Sequence, residues 1–269
     1  MKNILLSFDI EEFEMPFEYG KEISFDDQIQ ISTAGAEKIL DLLKKRNIKA
    51  TFYTTANFGQ HARPIVDRIV QEGHELASHG VFHNNFETKD LEESKMILEG
   101  ISGVEVKGYR MARMKSVSEN DILAAGYVYN SSLNPTFLPG RYNNLRELRT
   151  ISFHEGLWRL PASVTPTFRI PLFWLSFHNF PLWLYRFLSK EVLNKDGYLN
   201  IYFHPWEFMP IGPKSKYNFP LYVTRNTGHK MEKRFEDYLD WAVKEGYYFM
   251  RTIDFITKKR RECLTNYHT

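Results

Sequence analysis

Short apolar runs alternate with helical patterns along the whole of the 269-residue chain. Short runs rich in apolar, β-branched and aromatic residues predict buried strands. The segments between them carry apolar residues three and four positions apart, which predicts amphipathic helices. Alternation of this kind predicts a parallel sheet, either open or closed into a barrel. The predicted strands cover residues 4–8, 50–54, 75–78, 104–109, 127–130, 199–203 and 247–251.

The predicted helices have recognisable ends. Thr33 predicts an N-cap for a helix over residues 34–45, and Ser118 caps a short helix further along the chain. Pro64 fits the first turn of a helix that Gly73 ends. Further helices are predicted over residues 90–98, over residues 232–244 and at the C-terminus.

The region from about residue 134 to residue 181 is less regular and predicts long loops. No repeat or linker divides the chain, so a single domain over residues 1–269 is expected. The aromatic stretch 168–188 contains charged residues and two prolines, and a transmembrane helix needs about 18 apolar residues. This stretch fits a buried or groove-lining segment, or contact with a membrane surface or a lipid-linked substrate.

The amino-acid composition limits the kinds of partner and metal site that are expected. A hydrophobic content of 43% and a charged content of 25% are ordinary for a soluble globular protein. The net charge of +2 does not favour a nucleic-acid partner. The single cysteine, Cys263, excludes an internal disulfide and a Cys-rich zinc site, so a metal would be held by histidines and carboxylates. The apolar run at the N-terminus is too short for a signal peptide, which predicts a cytoplasmic location.

Reactive side chains stand at the ends of four predicted strands. These residues are Asp9, His79, Arg110 and His204. In parallel α/β folds the carboxyl ends of the strands meet at one mouth, where ligands bind. We therefore expect these four residues to meet in an active site.

A metal site is predicted beside them. His79 and His83 are four residues apart, so both imidazoles can reach one ion. Asp9 and Glu11 share one side of an extended chain, because side chains alternate along a strand. One of these carboxylates can bind the metal while the other acts as a base. Two imidazoles and a carboxylate, with positions left for water, form the ligand set of a hydrolytic zinc-type site.

Four motifs occur in a characteristic order: SFDIE at 7–11, SHGVFH at 78–83, GYR at 108–110 and YFHPWE at 202–207. Together they resemble the polysaccharide deacetylases of the NodB-homology type. Within that family the chain is most similar to the branch associated with exopolysaccharide systems, whose first motif reads Asp-x-Glu and whose last contains His-Pro-Trp-Glu. The motifs extend over most of the chain.

The resemblance implies a distorted (β/α) barrel with about seven parallel strands. It also implies a hydrolase that removes N-acetyl groups from a carbohydrate with the help of one divalent metal ion, zinc. By family position, Asp9 resembles the catalytic base, Arg110 the residue that orients the base, and His204 the general acid. The implied metal ligands are Glu11, His79 and His83.

Three positions depart from the commoner family pattern. Ile10 replaces a second Asp and Ala112 replaces a Pro. Asn130 replaces an Asp that, in the family pattern, would pair with Arg110. Trp206 and Glu207 follow the predicted acid closely enough to line the mouth, although an aromatic at position 206 fits plain packing equally well. The predicted substrate-binding residues are Trp206, Glu207 and Asn130.

Two other functions remain open. The same fold family includes allantoinase-like members, so a non-sugar amide or a cyclic ureide is an alternative substrate. The three departures fit a catalytically weak, glycan-binding relative. The expected partner is a carbohydrate, free or lipid-linked. The remaining histidines are assigned no role at the site: His74 is expected to be structural, and His61, His154, His178, His229 and His268 lack a partner at ligand spacing.

Overall fold

The computed structural model describes residues 2–212 and 215–266. Strands and helices alternate along this part of the chain. The strands are β1 (Asn3–Ile10), β2 (Thr51–Thr54), β3 (Glu75–Ser78), β4 (Gly108–Tyr109), β5 (Tyr129–Asn130), β6 (Phe137–Leu138), β7 (Tyr142–Asn143), β8 (Ser152–His154), β9 (Leu157–Arg159), β10 (Tyr198–Phe203) and β11 (Tyr248–Phe249). The helices are α1 (Met15–Glu18), α2 (Phe25–Lys44), α3 (Ala56–His61), α4 (Arg63–Gln71), α5 (Asp90–Ser102), α6 (Glu119–Ala124), α7 (Trp174–Asn179), α8 (Leu182–Asp196), α9 (Leu221–Thr224), α10 (His229–Lys244) and α11 (Thr252–Asn266). Two 3₁₀ turns lie at Ala112–Met114 and Pro205–Phe208.

Seven strands run parallel in the order β10-β1-β2-β3-β4-β5-β9. β8 extends this sheet as an antiparallel strand beside β9, and β11 pairs in parallel with the first residues of β1. The N–H of Ser163 donates to the carbonyl oxygen of Asn200 at 2.8 Å, which links the chain after β9 to β10 at the other end of the order. The curled, mainly parallel sheet confirms the predicted (β/α) barrel class with about seven parallel strands.

β1 lies between two parallel neighbours and is buried along its whole length. Ile4, Leu6 and Phe8 belong to the main hydrophobic core that the surrounding helices share. Ser7 and Asp9 point to the opposite face, because side chains alternate along a strand. One face of β1 therefore packs in the hydrophobic core, and the other face carries polar side chains.

Helix α2 is longer than the sequence pattern predicted. It begins at Phe25 rather than at residue 34, so Thr33 lies inside the helix and the predicted N-cap is wrong. Ser24 is the N-cap, and its hydroxyl oxygen accepts from the N–H of Asp27 at 3.1 Å. The acidic first turn stabilises this end of the helix through the helix dipole.

The region expected to consist of long loops contains more regular structure. It holds the β6–β7 hairpin, the β8–β9 pair and helix α7. The aromatic stretch 168–188 forms α7 and the start of α8, separated by Pro181. Within residues 2–212 and 215–266, every helix is too short or too polar to cross a bilayer.

A glycine allows α2 to approach the turn that follows β10. A Cβ built on Gly35 would lie 2.1 Å from the carbonyl oxygen of Pro205, far inside van der Waals contact. We expect Gly35→Ala to lower the free energy of unfolding by about 1–3 kcal/mol or more, because backbone on both sides has to move. Urea denaturation followed by circular dichroism measures this loss.

Gly100 provides the matched control for this substitution. It lies within α5, and a Cβ added there meets no atom within 4 Å. Gly100→Ala should therefore stabilise the protein by about 0.5–1 kcal/mol through helix propensity. Equal stability of the two variants would contradict the close packing of α2 on the turn.

Candidate active site

One cavity of about 280 Å³ lies at the carboxyl ends of the parallel strands. Five of the six residues predicted to act in catalysis or metal binding line it. The sixth, Arg110, is fully buried and lies behind Asp9. The five lining residues are Asp9, Glu11, His79, His83 and His204. Segments that are far apart in the sequence therefore meet at one mouth.

Glu11, His79 and His83 form a compact cluster. The Nε2 atom of His79 is 3.2 Å from the Oε2 atom of Glu11, and the Nε2 atom of His83 is 3.1 Å from the same oxygen. One ligand atom from each residue lies within 4.8 Å of the others. Two imidazoles and one carboxylate in this arrangement can hold one metal ion.

The outer nitrogens of both rings indicate how the inner ones are protonated. Nδ1 of His79 is 2.8 Å from the carbonyl oxygen of Arg110, and Nδ1 of His83 is 3.2 Å from a carboxylate oxygen of Glu14. These oxygens accept, so each Nδ1 donates, and in the neutral imidazole Nε2 then carries a lone pair. Two lone pairs thus face Oε2 of Glu11, a buried atom with no hydrogen-bond donor among the described residues. Three acceptors that face one another, on the buried residues Glu11 and His79 and the half-buried His83, fit a divalent cation.

The carboxyl group of Glu11 is suited to this role. Burial opposes its ionisation, but positive charge on the nearby imidazoles, His83 foremost, outweighs that effect and lowers the pKa of Glu11 to about 2; a bound cation would supply the same positive charge when the imidazoles are neutral. Glu11 is therefore ionised at neutral pH.

Asp9 is held by the arginine after β4. An Oδ1 atom of Asp9 lies 2.5 Å from Nη1 of Arg110. The guanidinium also donates to Oγ of Ser7 at 3.0 Å and to the carbonyl and hydroxyl oxygens of Ser131 at 3.2 and 3.1 Å. It stacks on the ring of Tyr53, 3.9 Å from the ring centroid. The buried charge of Arg110 is thus paired with a carboxylate and surrounded by acceptors.

Asn130 does not belong to this network. Its Oδ1 accepts from the N–H and the hydroxyl of Ser132, at 3.0 and 2.5 Å. Asn130 lines a neighbouring cavity of about 770 Å³, not the catalytic one. The pairing with Arg110 that the family pattern implies for position 130 is therefore not made by Asn130, and Arg110 takes its partners from Asp9, Ser7 and Ser131.

Trp206 forms part of the cavity wall. Its ring is 4% exposed and lies nearly parallel to the ring of His204, with centroids 5.5 Å apart and an interplanar angle of 21°. Phe13 and Trp174 cover it from other sides. Sugar stacking on Trp206 stays a prediction, and packing of the wall is what its contacts show.

Glu207 was predicted to bind substrate, and its position contradicts that role. Its side chain is fully buried and does not line the cavity. Oε1 of Glu207 accepts from the backbone N–H of His204 at 2.6 Å and lies 3.0 Å from Nδ1 of the same residue. Glu207 therefore lies behind His204 because the 3₁₀ turn folds it back onto its own N-cap residue.

A further histidine completes this group. Nε2 of His178, on α7, lies 2.8 Å from Oε2 of Glu207, and neither side chain is exposed. The sequence assigns His178 no role because no partner stands at ligand spacing from it. Only the fold brings it behind β10.

Comparisons with known proteins find similar sequences and a similar fold. Residues 21–124 match the model of the family described as polysaccharide deacetylase. A putative polysaccharide deacetylase of Bacillus subtilis, YheN, is 34% identical over 89 residues, which is 30% of each chain. The peptidoglycan-N-acetylmuramic acid deacetylase PdaA of Bacillus subtilis is 29% identical over 65 residues, or 24% of this chain and 25% of that one.

These curated relatives are therefore matched over less than a third of their length. The fold is matched over a larger part. The crystal structure of a probable polysaccharide deacetylase from Pseudomonas aeruginosa PAO1 covers 97% of this chain and 91% of its own, with a TM-score of 0.68 at 15% identity.

Proposed function

Because residues 21–124 match the polysaccharide deacetylase family model, we propose that the chain is a metal-dependent hydrolase that removes N-acetyl groups from a carbohydrate. One observation carries this proposal. The three facing acceptors of Glu11, His79 and His83 lie in the same cavity as Asp9 and His204. This arrangement supplies a cation site, a base and an acid at one place.

Glu11, His79 and His83 are the proposed ligands of the metal, for which we propose zinc. Such an ion would polarise the acetamide carbonyl and lower the pKa of a water molecule to about 7. The chain fixes its ligands from behind, through the carbonyl of Arg110 for His79 and through Glu14 for His83.

Asp9 is the proposed general base. Oδ1 of Asp9 is bonded to Arg110, so the second carboxylate oxygen is the one that would accept a proton from water. Arg110 is the proposed positioning residue, because its own contacts to Ser7 and Ser131 fix the guanidinium. A general base held in one orientation contributes about 10²–10⁴-fold to a rate.

His204 is the proposed general acid. Its Nδ1 is bonded to Glu207, which leaves Nε2 to donate a proton to the departing amine. Burial lowers the pKa of His204, but the hydrogen bond and charge of Glu207, with the charges of Glu11 and Asp9, outweigh burial and raise it above its ordinary value. The protonated form needed by an acid is therefore favoured near neutral pH.

The neighbouring cavity favours a carbohydrate as the substrate rather than a small amide. It shares part of its lining with the catalytic cavity, and most of the residues that line it are of polar or charged types. Asn130 and Ser132 lie in it, so the substrate-binding role predicted for Asn130 is proposed for this second space. The residues common to both cavities are Glu18, Arg113, Met114, Arg141 and Tyr142.

Acetate release tests the proposed function. Zinc-loaded protein should release acetate from at least one member of a panel of N-acetylated oligosaccharides and sugar nucleotides. His79→Ala should lose both the activity and most of the bound zinc, expected at about one equivalent in the parent protein and measured by mass spectrometry of the metal.

The other outcomes separate the alternatives. Turnover of cyclic ureides with no acetate release would favour the allantoinase-like substrate class. Glycan binding without hydrolysis by the zinc-loaded protein would favour a non-catalytic relative. Absence of zinc binding in the parent protein would contradict the proposed metal centre itself.

A further inference from the structure

A second imidazole, that of His178, lies on the buried side of His204 and has no role in the proposed chemistry. Glu207 lies between the two rings, with Oε1 toward His204 and Oε2 toward His178. The side chains of Glu207 and His178 have no exposed surface. The three groups form one continuous hydrogen-bonded chain that leads from the cavity to the interior.

The two carboxylate oxygens of Glu207 have different hydrogen-bond partners. Oε1 already receives the backbone N–H of His204 at 2.6 Å as well as the contact to its Nδ1. Oε2 has His178 as its only hydrogen-bond partner among the described residues. A buried carboxylate oxygen without a donor is costly, so loss of His178 would favour protonation or rotation of Glu207.

The other nitrogen of His178 fixes its tautomer. Nδ1 of His178 is buried and has no hydrogen-bond partner among the described residues. A buried N–H without an acceptor is unfavourable, so the proton lies on Nε2, where Glu207 accepts it. The backbone of His178 is also fixed, because the side-chain amide of Asn226 donates to its carbonyl oxygen at 2.6 Å.

We propose that His178 is a positioning residue that acts through Glu207 to hold His204 with its proton on Nδ1 and its Nε2 toward the substrate. This inference rests on the proposed function for its catalytic meaning. The hydrogen-bond chain itself is a property of the protein without substrate. His178 touches no reacting atom, because Glu207 stands between it and the cavity.

Other charged and titratable groups lie near this hydrogen-bonded chain. Asp9 and Glu11, on or after β1, add negative charge that favours protonated His204. Tyr202 on β10 and Tyr185 on α8 have pKa values that burial raises well above the ordinary value, so both remain neutral. Glu207 is thus the charged group through which His178 can act.

Two substitutions at position 178 test the proposal. His178→Phe removes the donor and keeps a ring, whereas His178→Gln restores an N–H donor through its amide. We expect His178→Phe to lower kcat by about 10–100-fold with little change in KM, as loss of an outer partner does. The alkaline limb of its pH profile should move to lower pH, and His178→Gln should recover most of both effects.

Nitrogen-15 NMR of labelled histidine side chains gives a readout without any substrate. At a pH above the pKa of His204, where its ring is neutral, the parent protein and His178→Gln should show its proton on Nδ1, whereas His178→Phe should show a mixture of tautomers. This readout keeps the inference separate from the proposed function, because it can succeed or fail whether or not acetate is released.

His74→Phe is the matched control. His74 is also buried, and its Nδ1 accepts from the N–H of Ala50 at 3.2 Å, away from the cavity. This variant should lose stability while its pH profile and the His204 signals stay as in the parent. A His178→Phe protein with an unchanged His204 tautomer and pH profile would overturn the proposal, as would a failure of His178→Gln to restore either property.

Discussion

Replacing His204 with Gln is expected to lower kcat for acetate release by about 10²–10⁴-fold, with a smaller effect on KM. Glutamine can occupy the space beside Trp206 and can bond Glu207, but it cannot deliver a proton to the departing amine. Steady-state kinetics on the best substrate of the acetate panel measures the effect. A decrease of less than about threefold would argue against a general acid at this position.

The pH profile adds a second part to this expectation. The pKa of His204 is raised, so its protonated form persists through neutral pH and is lost as the pH rises through that raised pKa. The parent enzyme should therefore lose kcat on the alkaline side, and His204→Gln should lack this limb. His61→Gln, at an exposed histidine against the ring of Phe25, is the control and should keep the parent profile.

Replacing Arg110 with Met is expected to lower the free energy of unfolding by about 3–5 kcal/mol. The loss follows because Asp9, 4% exposed, would keep a buried negative charge without its partner. Activity should fall as well, since the base would lose its orientation. Equilibrium denaturation with the zinc-loaded protein measures the stability.

Arg159→Met is the matched control, because Arg159 pairs with Glu119 while its side chain stays 33% exposed. A pair of that kind contributes about 0–1 kcal/mol. Adding Asp9→Asn to Arg110→Met should recover part of the lost stability, because it removes the unpaired charge. Equal stability of the Arg110 and Arg159 variants would contradict the importance of the buried pair.

Much of the site followed from the rule that parallel strands present their carboxyl ends together. That rule predicts that His79, Arg110 and His204 lie near Asp9, and alternation along the first strand predicts that Glu11 lies on the same side as Asp9. The structure brings all five to one region. Their chemical roles remain proposals that the experiments above address.

The missed features depend on contacts that no local pattern records. Glu207 was expected at the mouth because it is close to His204 in sequence, but a 3₁₀ turn folds it inward. Its second partner, His178, comes from α7, in a region that was expected to be loops. Helix α2 was predicted too short because Thr33 fits an N-cap as well as Ser24 does, and sequence alone does not decide between two capping residues.

The pairing of β1 with β10 has a consequence for how the molecule is made. Residues 3–8 of β1 align with residues 198–203 of β10, and Asn3 and Ile4 also align with Tyr248 and Phe249 of β11, so the first strand completes its pairing only after residue 249 has been synthesised. Before β10 is made, Asp9 has no His204 opposite it. Strands β2 and β3 are close in sequence and can pair earlier, whereas the proposed base and the proposed acid come together only when β10 pairs with β1.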